Sequence, residues 1–142
     1  MEIVNEYLEL CKIQYEKRLN FKINAAENCN NLPIPRMLIQ MLTENAIKHG
    51  ISECVQPGDL LIDIWREDKC LNLKVSNSGA LENKPVGSRV GIGINNIRER
   101  LHLLYGEYGK FSINQVNELV VAHVNIPFYI FSIKTRNVSW DR

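Results

Sequence analysis

Apolar positions recur along this chain with two different periods, and the places where the period changes mark out its elements. Val4, Leu8, Cys11 and Tyr15 repeat at helical spacing, with Glu2, Glu6, Glu9, Lys12, Glu16 and Lys17 in the other directions, so residues 2–18 read as an amphipathic helix. Leu19, Phe21 and Ile23 then alternate with Asn20, Lys22 and Asn24, the mark of a strand with one buried face. A loop rich in asparagine and proline, AENCNNLPIP, leads into a second helix that opens near Pro35 and closes at Gly50. At about 100° per residue, Leu38, Ile39, Leu42, Ala46 and Ile47 cover most of its directions, which predicts a helix buried nearly all round. Met37 and Met41 share one remaining direction with Glu44, Asn45 and Lys48.

The second half of the chain is richer in strands. Leu60–Trp65 and Leu71–Val75, joined by Arg66 to Cys70, predict an antiparallel hairpin. Residues 77–90 show no period and read as a long functional loop of the kind that covers a site. Gly91-Ile92-Gly93 ends that loop at a helix over Asn95–Tyr105, with Ile97, Leu101 and Leu104 as its apolar stripe. Phe111–Val116 and Leu119–Phe131 supply two more strands, and residues 132–142 carry no clear pattern. Adjacent strands interleaved with helices predict an α+β fold: a two-layer sandwich with helices on one face of a mixed, mostly antiparallel sheet.

Composition narrows the partners more than the fold. The 142 residues carry 45% hydrophobic and 23% charged side chains, which suits one globular domain with an appendage. A net charge of +1 argues against a strongly basic nucleic-acid surface, so no nucleic-acid partner is expected. The most apolar tract, Leu119–Ile133, is short and interrupted by His123, Asn125 and Pro127, so no direct membrane contact is expected either. Cys11, Cys29, Cys54 and Cys70 form no CxxC pair, which disfavours a zinc site and fits scattered thiols in a reducing compartment.

The candidate chemistry sits at the end of the second helix. A carboxylate, a carboxamide and an ammonium, Glu44, Asn45 and Lys48, must be satisfied there by one another or by a ligand. The i, i+4 order of Glu44 and Lys48 favours a helix ion pair, and a metal nucleotide would satisfy the same groups. His49 complements the helix dipole or faces the same ligand. Two glycines beside a helix start let backbone N–H groups approach an anion, although GxG alone is more often a turn. A dinucleotide fold is disfavoured, since GIGINN follows a long loop rather than a first strand and lacks the third glycine, and no GxxxxGK[ST] loop occurs. Lys84 and Arg89 are either phosphate contacts from the loop or solvated charges, and Arg98, Glu99 and Arg100 read as a solvated helix face.

TENAIKHG on a helix, VSNSG after a hairpin strand and GIGINNIRERL after a loop occur here in one order. Together they resemble the ATP-binding catalytic domain of sensor histidine kinases, within the GHKL superfamily and its Bergerat-type fold. PRMLIQMLTENAIKHG and RERLHLLYG are similar to the corresponding segments of the LytS-type kinases. The resemblance covers residues 19–131 and implies ATP and Mg2+ as ligands. It implies that Asn45 coordinates magnesium, that Glu44 helps to place the metal or the attacking group, and that Lys48 and His49 lie near the phosphates. Gly91, Ile92, Gly93 and Ile94 match the second glycine box.

The first glycine box departs from the family pattern. Its usual aspartate, which accepts from the adenine amino group, is missing from KVSNSGA, so the acceptors on offer beside Gly79 are Asn77 and Ser76. The family's acceptor histidine lies upstream in a P-H-F-L-x-N segment that this chain lacks, and His49, His102 and His123 fall inside the catalytic elements. Residues 1–18 are then a stub of the second dimerisation helix and 132–142 a tail. The implied partners are the dimerisation and phosphoacceptor domain of the full-length kinase and a downstream response regulator. The implied location is the cytoplasmic part of a membrane-anchored sensor. The same fold also serves non-catalytic interaction modules, serine kinases and ATPases.

Overall fold

In the computed structural model, residues 9–10, 13, 19–29, 36–49, 58–79 and 89–127 are described. The strands are β1 (Leu19–Ala25), β2 (Gly58–Glu67), β3 (Cys70–Ser78), β4 (Lys110–Val116) and β5 (Leu119–Pro127). The helices are α1 (Arg36–His49) and α2 (Arg89–Tyr105), and short 3-10 turns follow β1 and α2. One five-stranded sheet has the order β1-β2-β3-β5-β4, parallel only between β1 and β2. That parallel pair is a consequence of α1, which lies between the two strands in sequence and returns the chain to the same edge.

Side chains alternate across the sheet and divide it into two unlike faces. Leu19, Leu60, Ile62, Ile64, Leu71, Leu73, Val75, Ala122, Val124 and Ile126 make the face that meets the helices. From α1 they receive Leu38, Ile39, Leu42, Ala46 and Ile47, and from α2 Ile97, Leu101 and Tyr105. Burial of this set is what holds the helices to the sheet, at about 25 cal/mol per Å² of apolar surface removed from water. Burial also pushes the Tyr105 phenol up to about 12, since its ionised form has no water there.

The opposite face is a polar and aromatic ribbon. Asn72, almost fully buried, accepts at Oδ1 from His123 Nε2 and Asn125 Nδ2, both at 2.9 Å. Because an amide oxygen only accepts, the His123 proton is on Nε2. The imidazole stacks on Trp65 at 5.6 Å between ring centres, and Lys74 lies over that indole while bridging to Asp63 at 3.5 Å. Asn24 completes the row by donating to Asp63. Burial and the Lys74 ammonium both hold the His123 pKa below its usual 6.5. The fold therefore carries the neutral imidazole while the unfolded chain takes a proton more readily. Stability from this site is complete above pH 6.5 and is lost as pH falls toward the lower folded value. Urea melts at pH 7.5 and pH 5 are expected to separate less in His123→Gln than in the parent; an unchanged separation would refute the assignment.

Several expectations need correction. The hairpin loop is only Asp68-Lys69, because Arg66, Glu67 and Cys70 are paired in the ladder. Asp68 takes the left-handed conformation at φ 53°, and Asn117 does so at φ 54° in the β4–β5 turn; both residue types tolerate it. Helix α2 begins at Arg89 rather than Asn95, so Gly91 and Gly93 lie within it. Glycine weakens a helix without forbidding it, and the packed stripe of Ile97, Leu101 and Tyr105 outweighs that cost.

Asn77 and Ser78 belong to β3 rather than to the loop, of which residues 80–88 lie outside the described ones. Helix α1 is not buried all round: Met37, Gln40 and Lys48 are exposed along one stripe. Met37 stands out in solvent, while Met41 packs against the core. The expected stripe of the first helix lies outside the described residues, where only Glu9, Leu10 and Ile13 are seen, helical and exposed. Cys29 is buried and Cys70 half-buried, both as thiols outside any disulfide. No helix among the described residues is long and apolar enough to cross a membrane.

Candidate functional site

Helix α1 is seated on β3 by its apolar stripe, and this decides where its polar end points. Thr43 is fully buried and returns its hydroxyl to the Ile39 carbonyl at 2.8 Å, so it makes no demand on the site. The next two residues lie at the edge of the buried stripe, both half-buried. Glu44 accepts at Oε1 from Gln40 Nε2, one turn earlier, at 3.1 Å. Asn45 turns its carboxamide inward, where Oδ1 is buried with no hydrogen-bond partner among the described residues. Leaving such an acceptor unmet costs about 1–3 kcal/mol, so an orphan held in this way invites a ligand as its explanation.

The wall facing Asn45 is the first part of α2. A Cβ built on Gly93 would lie 2.8 Å from Asn45 Oδ1 and 3.8 Å from its Cγ, so only glycine fits there without movement. The first four amides of a helix have no partner within it. In α2 those of the described residues belong to Arg89, Val90 and Gly91, and they give this end its partial positive charge. Gly93 and Ile94 follow them, where helical amides turn to carbonyls four residues back.

Sheet register separates the two possible acceptors at the end of β3. Ser76 pairs with Leu61 and Val121 and shares their outer face. Asn77 continues the Leu71, Leu73, Val75 series on the helix side and is buried there, so it is the acceptor on the side of α1. Its Nδ2 donates to the Ser78 carbonyl at 3.0 Å, which leaves Oδ1 for anything else. Gly79 follows at φ 140°, a conformation that side chains rarely adopt. Its N–H donates to the Glu118 carbonyl and its own carbonyl accepts from Gln115 Nε2.

The structure thus brings Asn45 and Gly93 into contact and puts Glu44 beside Asn45. Lys48 is exposed at the last turn of α1. The side chains of His49, Arg89 and Ile92 lie outside the described residues, as does Lys84. Arg98, Glu99 and Arg100 are exposed, and Arg98 rests over the Phe111 ring at 4.8 Å. Two contributors had escaped the sequence reading. Gln40 was legible, since it stands four residues before Glu44 just as Lys48 stands four after. Gln115 was not, because nothing local ties it to a glycine 36 residues away.

The donor set fits magnesium with a phosphate ligand. Asn45 offers one neutral hard oxygen already stripped of water. Among the described residues no three His, Cys, Asp or Glu side chains converge. Magnesium needs few protein ligands when phosphate and water complete its octahedron.

Comparison with known proteins finds relatives of one kind. No protein-family model matches the chain. It is 33% identical over 110 residues to the sensor histidine kinase BtsS of Escherichia coli K12, across 77% of this chain and 19% of that protein. Against the sensor histidine kinase YesM of Bacillus subtilis it is 32% identical over 115 residues, 76% of this chain and 19% of that one. The sensor protein LytS of Staphylococcus epidermidis is 25% identical over 139 residues, 90% of this chain and 24% of that one. The chain therefore spans about a fifth of the length of these relatives. Among solved structures, a nucleotide-free catalytic domain of histidine kinase ThkA shares its fold with a TM-score of 0.64 at 18% identity, covering 88% of this chain and 94% of that one. Histidine kinase AdeS of Acinetobacter baumannii gives 0.61 at 15% identity, covering 89% and 64%.

Proposed function

The chain belongs to the sensor histidine kinases, and we propose that residues 19–131 are the catalytic domain of one, binding Mg-ATP between α1 and α2 and passing the γ-phosphate to a histidine on a separate domain. The observation that carries this reading is the buried, unpartnered Asn45 Oδ1 beside the glycine of α2. Asn45 holds the metal through that oxygen. When bound, magnesium supplies the charge neutralisation that a triphosphate requires for phosphoryl transfer.

The chain's own residues orient and neutralise. Gln40 holds one oxygen of Glu44, which leaves the other to help place the metal or the attacking group. Lys48 ends α1 with an ammonium near the phosphates, a place the family resemblance also assigns to His49, and the amide of Gly91 adds a donor from the first turn of α2. Arg89, the first residue of α2, is assigned to the phosphates in this reading. Asn77 Oδ1, its amide group committed to Ser78, accepts from the base, and Gly79 holds the chain open beside it. The partners in this reading are the phosphoacceptor domain of the same kinase and a response regulator. The domain acts on the cytoplasmic side of a membrane-anchored sensor.

Titration calorimetry with a non-hydrolysable ATP analogue tests the reading, with expected binding that strengthens on adding Mg2+. Absence of heat and of any thermal shift, with and without the metal, would overturn it. That outcome would favour the second use of this fold, a non-catalytic interaction module, for which the uncharged Asn77 in the base-reading position is the supporting observation. Supplying a histidine-bearing acceptor segment and finding acid-labile phosphate on it would separate a histidine kinase from a serine kinase or ATPase.

A further inference from the structure

We propose that Gly93 is a positioning residue whose missing side chain is the space in which the Asn45 carbonyl oxygen sits. On this view it acts on the ligand through Asn45 rather than through its own backbone. The proposal rests on the assignment of Asn45 to the ligand and gives the second glycine of GIG a role distinct from that of the first.

Three ordinary reasons for a glycine fail at this position. Its φ is not in the left-handed region, which among the described glycines is reserved for Gly79 and Gly106, so conformation does not require it. It is the fifth residue of α2, beyond the four amides that lack helical partners, so its N–H is not the one offered to an anion. Helix propensity argues against it, because alanine is the better residue in a helix interior.

What does require glycine is the neighbour. A Cβ would stand 2.8 Å from Asn45 Oδ1, closer than real Cβ contacts come. The carboxamide has no hydrogen bond at that oxygen to hold it against the push, so it is the group that moves. An alanine at position 93 therefore turns the oxygen away while leaving both helices formed.

A double-mutant cycle decides this: the parent, Gly93→Ala, Asn45→Ala and the double variant, each read by melting temperature without nucleotide and by magnesium-dependent affinity for the ATP analogue. With Asn45 present, Gly93→Ala is expected to weaken that affinity about tenfold and not to raise the melting temperature. In the Asn45→Ala background the Cβ has room, so the same change raises the melting temperature by a few degrees and leaves the residual affinity unaltered. An equal loss of affinity in both backgrounds, or an equal thermal shift in both, overturns the proposal. If Asn45→Ala leaves affinity intact, the nucleotide assignment fails instead, and the thermal half of the cycle still decides whether Gly93 makes room for Asn45.

Discussion

Asn45→Ala is expected to weaken magnesium-dependent nucleotide binding at least about tenfold while leaving the apo domain as stable as the parent or more so. The two halves of this result have one cause. Asn45 Oδ1 is buried with no partner among the described residues, a condition that costs about 1–3 kcal/mol. Alanine removes the orphan and is also the better helix former, by up to about 0.7 kcal/mol. Against these gains stands only the loss of a few side-chain contacts at a half-buried position.

Binding moves the opposite way, since the oxygen is the neutral ligand offered to the metal. A fall of at least about tenfold, or about 1.4 kcal/mol, is expected by calorimetry in the presence of Mg2+. Thermal melting of the same preparations gives the stability half. A variant that melts lower and still binds would show that the oxygen is structural, and would sink the site. Strain stored where a ligand is awaited is a familiar feature of functional sites, and here its magnitude is measurable on both sides.

The second large effect lies in the core beneath that site. Leu38 is fully buried on α1, two turns before Asn45, and packs into the cluster made by β1, β2, β3 and β5. Leu38→Ala is expected to cost about 2–5 kcal/mol, combining lost transfer energy with the cavity left behind. Domains of this kind have about 5–15 kcal/mol in total, so a large share of the folding free energy goes with one side chain. Met37, its immediate neighbour, is 54% exposed, and Met37→Ala is expected to stay within about 0.5 kcal/mol. Urea unfolding of the two variants at matched m-values makes the comparison. Equal losses would mean that α1 is rotated from the position described. Because α1 carries both Leu38 and Asn45, the leucine variant is also expected to weaken nucleotide binding through a looser helix.

Much of this architecture was written in the order of the residues. Alternation placed β1, since one buried face imposes a period of two wherever a strand is half covered, and the other strands stood out as apolar segments between turns. Asp68 and Asn117 stand where turns need a residue tolerant of positive φ. The buried side of α1 was visible as Leu38, Ile39, Leu42, Ala46 and Ile47, although its exposed stripe was missed because Met37 reads as apolar wherever it points. The start of α2 was misplaced for a related reason. Two glycines suggest a break to any local reading, while the packing that overrides them is supplied by residues of α1 and the sheet.

The order of residues already carried the elements, the family and the residue types at the site: a carboxylate, a carboxamide and a lysine closing one helix, and glycines opening another. Which of these meet depends on the folded packing. Periodicity reports that a side chain is buried and is silent about its neighbour. The parallel pairing of β1 with β2 follows from how α1 crosses the sheet. That Asn77 rather than Ser76 is on the helix side follows from register. Asn45 and Gly93 are 48 positions apart and touch because two apolar stripes seat their helices on one sheet. The empty place where a Cβ would be is a property of that packing, and no stretch of either helix contains it.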